Sequence, residues 1–276
     1  MKQAFNFIRN SNKSSNQPRH FNFISNSNVA LAQNPLFQFA QRHALSIYPS
    51  NTIYSFIPKN GCTTLRASLA TANGFINDIE KQINWLHNNS YTFSANLKEL
   101  SCADYTFTIL RCPYERLVSL FLDKFVDKTP VAWTFYRSSN NKFELDDISF
   151  SDFINYLNQH PALLNAEIHW RKQSDFLIYK NYDDYFDFSD FQQIQTTLKR
   201  KINLDLVDTR HITNHGREKY QIITDTNHSK TSVITLKKLK QQGYLPALEN
   251  MYTKELKQKV QRLYQADFSI RDQVFS

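Results

Sequence analysis

The stretch IYSFIPKNGCTTLRASL, residues 53–69, constrains this chain more than any other. NTIYSFI (51–57), rich in β-branched and aromatic residues, reads as a strand. It meets a Pro-Lys-Asn-Gly-Cys-Thr-Thr turn and passes, from about Thr63, into a helix with Leu65 and Leu69 four apart and a stop near Gly74. The pattern then repeats. DYTFTILR (104–111) is a second buried strand, and PYERLVSLFLDKF (113–125) is a helix with Pro113 in its first turn and Leu117, Leu120 and Phe121 as its apolar stripe. Two strand–turn–helix units predict an α/β domain with a central parallel sheet flanked by helices. In such a fold ligands sit beyond the carboxyl ends of the strands.

The rest of the chain fills in around these units. Residues 1 to about 28 are rich in Asn and Ser and read as a loose extension. NPLFQFAQRHALSIY reads as a short amphipathic helix leading into the domain, so the expected division is an extension over 1–44 and a domain over 45–276. SFSDFINYLNQHP (149–161) is a predicted helix with Ser151 as N-cap and Phe153, Ile154 and Leu157 inward. DFLIYKNYDDYF (175–186) mixes a strand with a turn, and TKELKQKVQRLYQADF (253–268) is an amphipathic helix.

Composition narrows the partners. The 41% hydrophobic content, with 22 Phe and 14 Tyr, is ample for a core. Only four glycines occur, so Gly61, inside the first turn, stands out. A net charge of +8 suits an anionic partner, although a soluble basic protein with no polyanion site has the same balance. Neither an RNA-recognition signature nor zinc-finger spacing is present, so nucleic acid is not the expected partner. The three cysteines, Cys62, Cys102 and Cys112, are odd in number and lack a CxxC, which fits a reducing compartment. With no apolar signal region and no run of 18 apolar residues, the expectation is a cytoplasmic protein without an integral membrane segment.

The first turn is suited to an anion. A Walker A loop needs GxxxxGK[ST], with lysine after the glycines. Here Lys59 precedes Gly61, and Thr63 and Thr64 open the helix. A helix start with free N–H groups still binds an anion, hydroxyls add donors, and Lys59 can reach over the bound group as a point charge. An ordinary strand-to-helix turn with a surface lysine has the same sequence. Arg111 ends the second strand at the same sheet edge, with Ser119 eight residues on; an Arg fork plus a hydroxyl can fix a second, separate phosphate. Taken singly, the two also suit a surface pair. A nucleoside triphosphatase would instead place an Asp near such a strand end for magnesium.

Together the two stretches resemble the nucleotide-binding elements of sulfotransferases that use 3′-phosphoadenosine 5′-phosphosulfate (PAPS). PKNGCTTL resembles the 5′-phosphosulfate loop. RCPYERLVSLFLDKF resembles the 3′-phosphate element of the Golgi carbohydrate sulfotransferases of the chondroitin 4-O- and HNK-1 type and their bacterial relatives. AEIHWRKQ (166–173) is similar to that family's Ile-His-Trp stretch and YTKELKQKVQRLYQADFSI to its closing helix. The chain departs from the family at YFDFSDF (185–191), where a Phe-Glu-x-Leu segment is usual, and no Golgi-type membrane anchor is expected of it. The resemblance implies a P-loop-like sulfotransferase fold in a bacterial-type cytoplasmic enzyme, a carbohydrate or glycan acceptor, and no metal. It places the 5′-phosphosulfate on Pro58, Lys59, Asn60, Gly61, Cys62, Thr63 and Thr64, and the 3′-phosphate on Arg111 and Ser119.

Sulfuryl transfer to an alcohol needs the acceptor hydroxyl deprotonated and the leaving phosphate's charge stabilised. Lys59 suits the second task. A histidine suits the first, since its ordinary pKa is about 6.5. Two candidates stand out: His87, between the nucleotide elements in INWLHNNSYTF, and His169, in the Ile-His-Trp stretch. His87 is the expected base, with Trp170 assigning His169 to packing or sugar stacking as readily as to proton transfer. The rival readings are a non-catalytic nucleotide- or polyanion-binding protein on the same fold and an atypical P-loop kinase.

Overall fold

A computed structural model describes residues 19–23, 29–89, 91–209, 212 and 219–276, without the side chain of His87. Its centre is a four-stranded sheet in the order β1 (Ala44–Ile47), β2 (Thr52–Ser55), β3 (Tyr105–Leu110), β4 (Asp184–Asp187). β2, β3 and β4 run parallel, with Ser55 opposite Thr108 and Leu110 opposite Asp187. All six residues of β3 are buried, as a parallel strand covered on both faces requires. Alternate side chains divide between the two faces. Tyr54, Phe107 and Ile109 enter one core with Leu65 and Leu69, while Ile53 enters a second with Phe37, Phe176 and Tyr179.

One strand departs from the expected parallel sheet. β1 pairs antiparallel with β2, in a segment read from sequence as the end of a helix. The helix α1 (Pro35–Arg42), capped by the Asn34 side chain, is separated from β1 by His43 alone. Four apolar-to-polar residues after a helical pattern carry no period of their own, so the change of element is invisible until β2 offers a partner. Phe93 and Ala95 bond the free edge of β1 through Ser46 and Ala44.

The helices α2 (Cys62–Ala72), α3 (Ile79–Asn88) and α4 (Leu97–Ser101) connect β2 to β3. After β3, α5 (Pro113–Leu120) continues into a π turn, Phe121–Phe125, in which the Val126 N–H reaches back five residues to Phe121. A largely helical lobe follows, built on α6 (Pro130–Ser138) and α7 (Phe150–Gln159). Phe153, Ile154 and Leu157 of α7 are buried, as expected. Its N-cap is Ser149 rather than Ser151. Ser149 and Asp152 form a reciprocal capping box that satisfies two helix-end donors at once, which a lone Ser151 could not.

β4 leads through Phe188–Asp190 into α8 (Phe191–Ile202), a third strand–turn–helix unit, so within 175–186 only the last residues belong to a strand. A small parallel pair, β5 (Gln221–Ile223) and β6 (Tyr244–Pro246), flanks α9 (Val233–Gln241). The expected closing helix is two: α10 (Lys254–Leu263) and α11 (Gln265–Phe275). They break at Tyr264, which is fully buried and donates its hydroxyl to the Trp170 carbonyl. The described part of the N-terminal segment packs on the same body: Asn22 bonds the backbone of Leu177, Ile178 and Tyr179, and Arg19 pairs with Asp183. No helix among the described residues is long and apolar enough to cross a membrane.

Candidate functional site

The carboxyl ends of β2, β3 and β4 lie side by side because the three strands are parallel, and each is followed by a turn into a helix. The first turn is fixed residue by residue. The Pro58 carbonyl accepts from Nε of Arg116, a side chain only 1% exposed. Lys59 takes a left-handed conformation (φ 73°), unusual for a non-glycine residue, and its carbonyl accepts from Nη1 of Arg111 at 3.0 Å. Asn60 is buried and donates through Nδ2 to the Ile109 carbonyl and to Oε1 of Gln173. Its own N–H goes back to Ile57. Nδ2 and the backbone N–H of Asn60 are thus committed to holding the turn.

Gly61 then takes φ 74°, and a Cβ there would stand 3.1 Å from Phe188 and 3.3 Å from Phe191. Both the backbone and the space call for glycine. No side chain caps α2 at Gly61, so the helix opens with the amides of Cys62, Thr63 and Thr64 at its N-terminus, the positive end of the helix dipole. The Thr64 hydroxyl shares a hydrogen bond with Thr209 at 2.9 Å.

Lys59 reaches Asp123 in the π turn, Nζ to Oδ2 at 2.5 Å, with the two side chains 12% and 14% exposed. Lys124 adds a second cation 3.2 Å from the same carboxylate. Burial pulls the Lys59 pKa below the ordinary lysine value, opposed by the charge and hydrogen bond of Asp123. Arg111, at the end of β3, holds the Lys59 carbonyl, pairs with Glu115 at 3.5 Å, and lies 4.7 Å from the ring centre of Phe188. Ser119 is half-buried, four residues beyond Glu115 and four before Asp123. One helix face therefore carries the partner of Arg111, then Ser119, then the partner of Lys59.

His169 lies in the electrostatic reach of this group. Its Nδ1 meets Oε1 of Glu167 at 2.6 Å, and a carboxylate there requires the proton on Nδ1, leaving the Nε2 lone pair free for a base. Burial lowers the His169 pKa; Glu167 opposes that, while Lys124 and Lys59 press it further down. Glu167, which burial alone would push up, is held below its usual range by His169. Trp170, next in sequence, is fully buried against Phe125, Phe135 and Phe153 and serves packing. His87 is a backbone position near the end of α3, and its side chain lies outside the described residues. The preceding carbonyl, of Leu86, accepts from Arg66 one turn into α2, so this end of α3 sits beside the start of the helix that opens at Gly61.

Lys59, Gly61, Cys62, Thr63, Thr64, Arg111 and Ser119 thus belong to one sheet edge and the helices that leave it. Residues not foreseen complete the assembly: Asp123, Arg116, Glu167, Gln173 and Phe188. Glu167 stands two residues before His169, and Asp123 lies in the quoted helix at the i+4 spacing from Ser119. Those were the available signals. Cys62 and Cys112 flank the site half-buried, and all three cysteines are free thiols.

Comparison with known proteins fits this geometry. A family model described as "Sulfotransferase family" matches residues 47–270. Carbohydrate sulfotransferase 14 of Mus musculus is 24% identical over 143 residues, 47% of this chain and 38% of that protein. Carbohydrate sulfotransferase 10 of Homo sapiens is 28% identical over 146 residues, 46% of this chain and 41% of that protein. The match therefore spans well under half the length of either relative. No solved structure matches. With most of its length covered by the family model, and with the two anion-suited turns inside that span, the chain belongs to the sulfotransferase family.

Proposed function

We propose that the protein transfers the sulfuryl group of PAPS to a hydroxyl of a carbohydrate acceptor. The observation that carries this reading is the pair of cationic turns at adjacent parallel strand ends. One is the Lys59 loop with the uncapped start of α2; the other is Arg111 with Ser119 on the following helix. Two separated anion sites match a donor with a 5′-phosphosulfate and a 3′-phosphate, and β3 ends in an arginine rather than in a carboxylate suited to magnesium. The names of the two relatives support a carbohydrate as acceptor.

In an in-line displacement the acceptor oxygen bonds to sulfur as the bond from sulfur to the phosphate oxygen breaks. The products are a sulfate ester and 3′,5′-adenosine bisphosphate. In this reading Lys59 and the α2 amides stabilise charge growing on the leaving phosphate, a preorganised arrangement. Arg111 and Ser119 hold the 3′-phosphate. His169, oriented by Glu167 and neutral because burial lowers its pKa, takes the acceptor proton at Nε2. His87, whose backbone lies near the end of α3, is the rival for that proton. Turnover of His87→Ala and His169→Ala at saturating donor assigns the role.

The test of the donor is thermal. PAPS and 3′,5′-adenosine bisphosphate raise the melting temperature, as any ligand specific to the folded state does, and ATP with magnesium raises it much less. Equal shifts from all three overturn the two-site reading. An array of carbohydrate acceptors with labelled PAPS then tests transfer, and a donor that binds with no acceptor labelled overturns the enzymatic part.

A further inference from the structure

The two anion-suited turns come from different strands, and beside the Arg111–Lys59 and Asn60–Ile109 bonds a single buried amide reaches both of them. Gln173 is 1% exposed, and every hydrogen bond its side chain makes goes to one turn or the other. Its Oε1 accepts from Nδ2 of Asn60 at 2.7 Å and from the Arg111 N–H at 3.1 Å, and its Nε2 donates to the Arg111 carbonyl at 2.9 Å. Both backbone groups of Arg111 are therefore clamped by one side chain, which also holds the residue between Lys59 and Gly61.

Gln173 is itself anchored. Asp267, in α11 and 2% exposed, accepts from the N–H groups of Gln173 (2.8 Å) and Ser174 (3.0 Å). Arg116 supports the same arrangement from beneath, tying the carbonyls of Pro58, Ile168 and Arg171 together. The segment 168–174 thus acts as a bracket. One end carries His169, the other grips both turns through Gln173, and α11 holds it in place.

We propose that Gln173 is a positioning residue that sets the spacing of the two anion-binding turns, so that affinity for a nucleotide carrying both a 5′- and a 3′-phosphate depends on it. This rests on the PAPS reading above. The chemistry is plain: a ligand with two anionic groups at fixed separation binds well only where the two sites are held at that separation beforehand, and freedom between them must otherwise be lost on binding. An interior glutamine filling a polar hole would not need all three bonds aimed at those two turns.

The test uses Gln173→Met, which keeps the length and volume of the side chain and removes its three bonds, with 3′,5′-adenosine bisphosphate as probe. The folded variant is expected to bind the bisphosphate at least roughly tenfold more weakly by calorimetry. Amide hydrogen exchange without ligand should speed up together at 60–64 and 111–113 while α7 stays protected. Gln173→Leu, which also removes the three bonds and leaves no buried charge, should speed exchange in the same segments, and it serves if the Met variant does not fold. A folded variant that binds the bisphosphate within twofold of the parent, with only its melting temperature lowered, overturns the proposal. A parent that does not bind the bisphosphate overturns the PAPS reading and this inference with it, so the two failures are told apart by the parent alone.

Discussion

Replacing Asp123 with Asn should cost the protein stability while making its anion site more attractive. At the 2.5 Å separation of Lys59 Nζ and Asp123 Oδ2, the gross attraction is about 7 kcal/mol at an effective dielectric constant near 20. Most of that repays desolvation rather than appearing as net stability. Removing one member of a fully buried pair costs about 3–5 kcal/mol, and an exposed pair is worth about 0–1. With side chains 12% and 14% exposed, and an Asn oxygen still able to accept from the ammonium, a loss of about 2–3 kcal/mol is expected. The pH dependence has a definite sign. Burial depresses the Lys59 pKa, and without Asp123 it falls further. Between that depressed value and the ordinary lysine value the unfolded chain binds more protons than the folded one, so stability rises with pH in that window. The gap between parent and variant is therefore widest below the depressed Lys59 values and narrows as pH rises towards the ordinary lysine value. Urea unfolding at a series of pH values measures it, and calorimetry with 3′,5′-adenosine bisphosphate should show tighter binding once the competing carboxylate is gone. A loss below about 0.5 kcal/mol that is flat with pH would refute the desolvated pair.

Other perturbations follow from the same geometry. Gly61→Ala forces a Cβ into a left-handed backbone 3.1 Å from Phe188, and should lower stability by about 1–2 kcal/mol in urea unfolding and weaken donor binding. If His169 is the base, His169→Ala loses roughly 10²–10⁴ in turnover with donor affinity kept. Glu167→Gln removes the group that holds the His169 pKa up, so the acid limb of the turnover–pH profile moves to lower pH; an unmoved limb excludes the dyad. His43 is buried among Phe39, Phe56 and Phe176, with its pKa lowered to about 4, chiefly by burial. Its contribution is intact above pH 6.5 and lost as pH falls towards 4, about 3 kcal/mol in all. His43→Phe should flatten that part of the stability–pH curve, and an unchanged slope would place the acid sensitivity elsewhere.

The parts of this fold legible in the sequence are those whose signals are local. The β2–turn–α2 and β3–turn–α5 units were readable because the strands are β-branched or aromatic, the turn holds one of four glycines, and Pro113 marks a helix start. β1 was not, since a four-residue strand following a helix differs from it only through its partner in space. The break at Tyr264 was hidden for a similar reason: the helical period runs through it, and the interruption is settled by a hydroxyl reaching Trp170, ninety-four residues away in the chain. At the site, charged groups with a recognisable spacing could be placed, but the neutral ones that hold them could not. The loop sequence offers Asn60 to a ligand, and nothing in it shows that its Nδ2 turns inward to Ile109 and Gln173. Gln173 itself carries no signal, because a buried glutamine and a surface glutamine are the same letter.

The π turn at Phe121–Phe125 has a meaning in terms of descent. A π turn holds one residue more than an α-turn, and its wide turn absorbs most of the roughly 100° that one residue adds in an α-helix. Trimming one residue from Leu120–Leu122 would close the turn as an α-turn and shift the Asp123 carboxylate, which lies inside it, away from Lys59, while Phe125 at its end keeps its place beside Phe135 and Phe153. The carboxylate's position thus depends on the extra residue, whereas the packing of the helical lobe does not. A deletion within the turn would cost the charge pair before it cost the core.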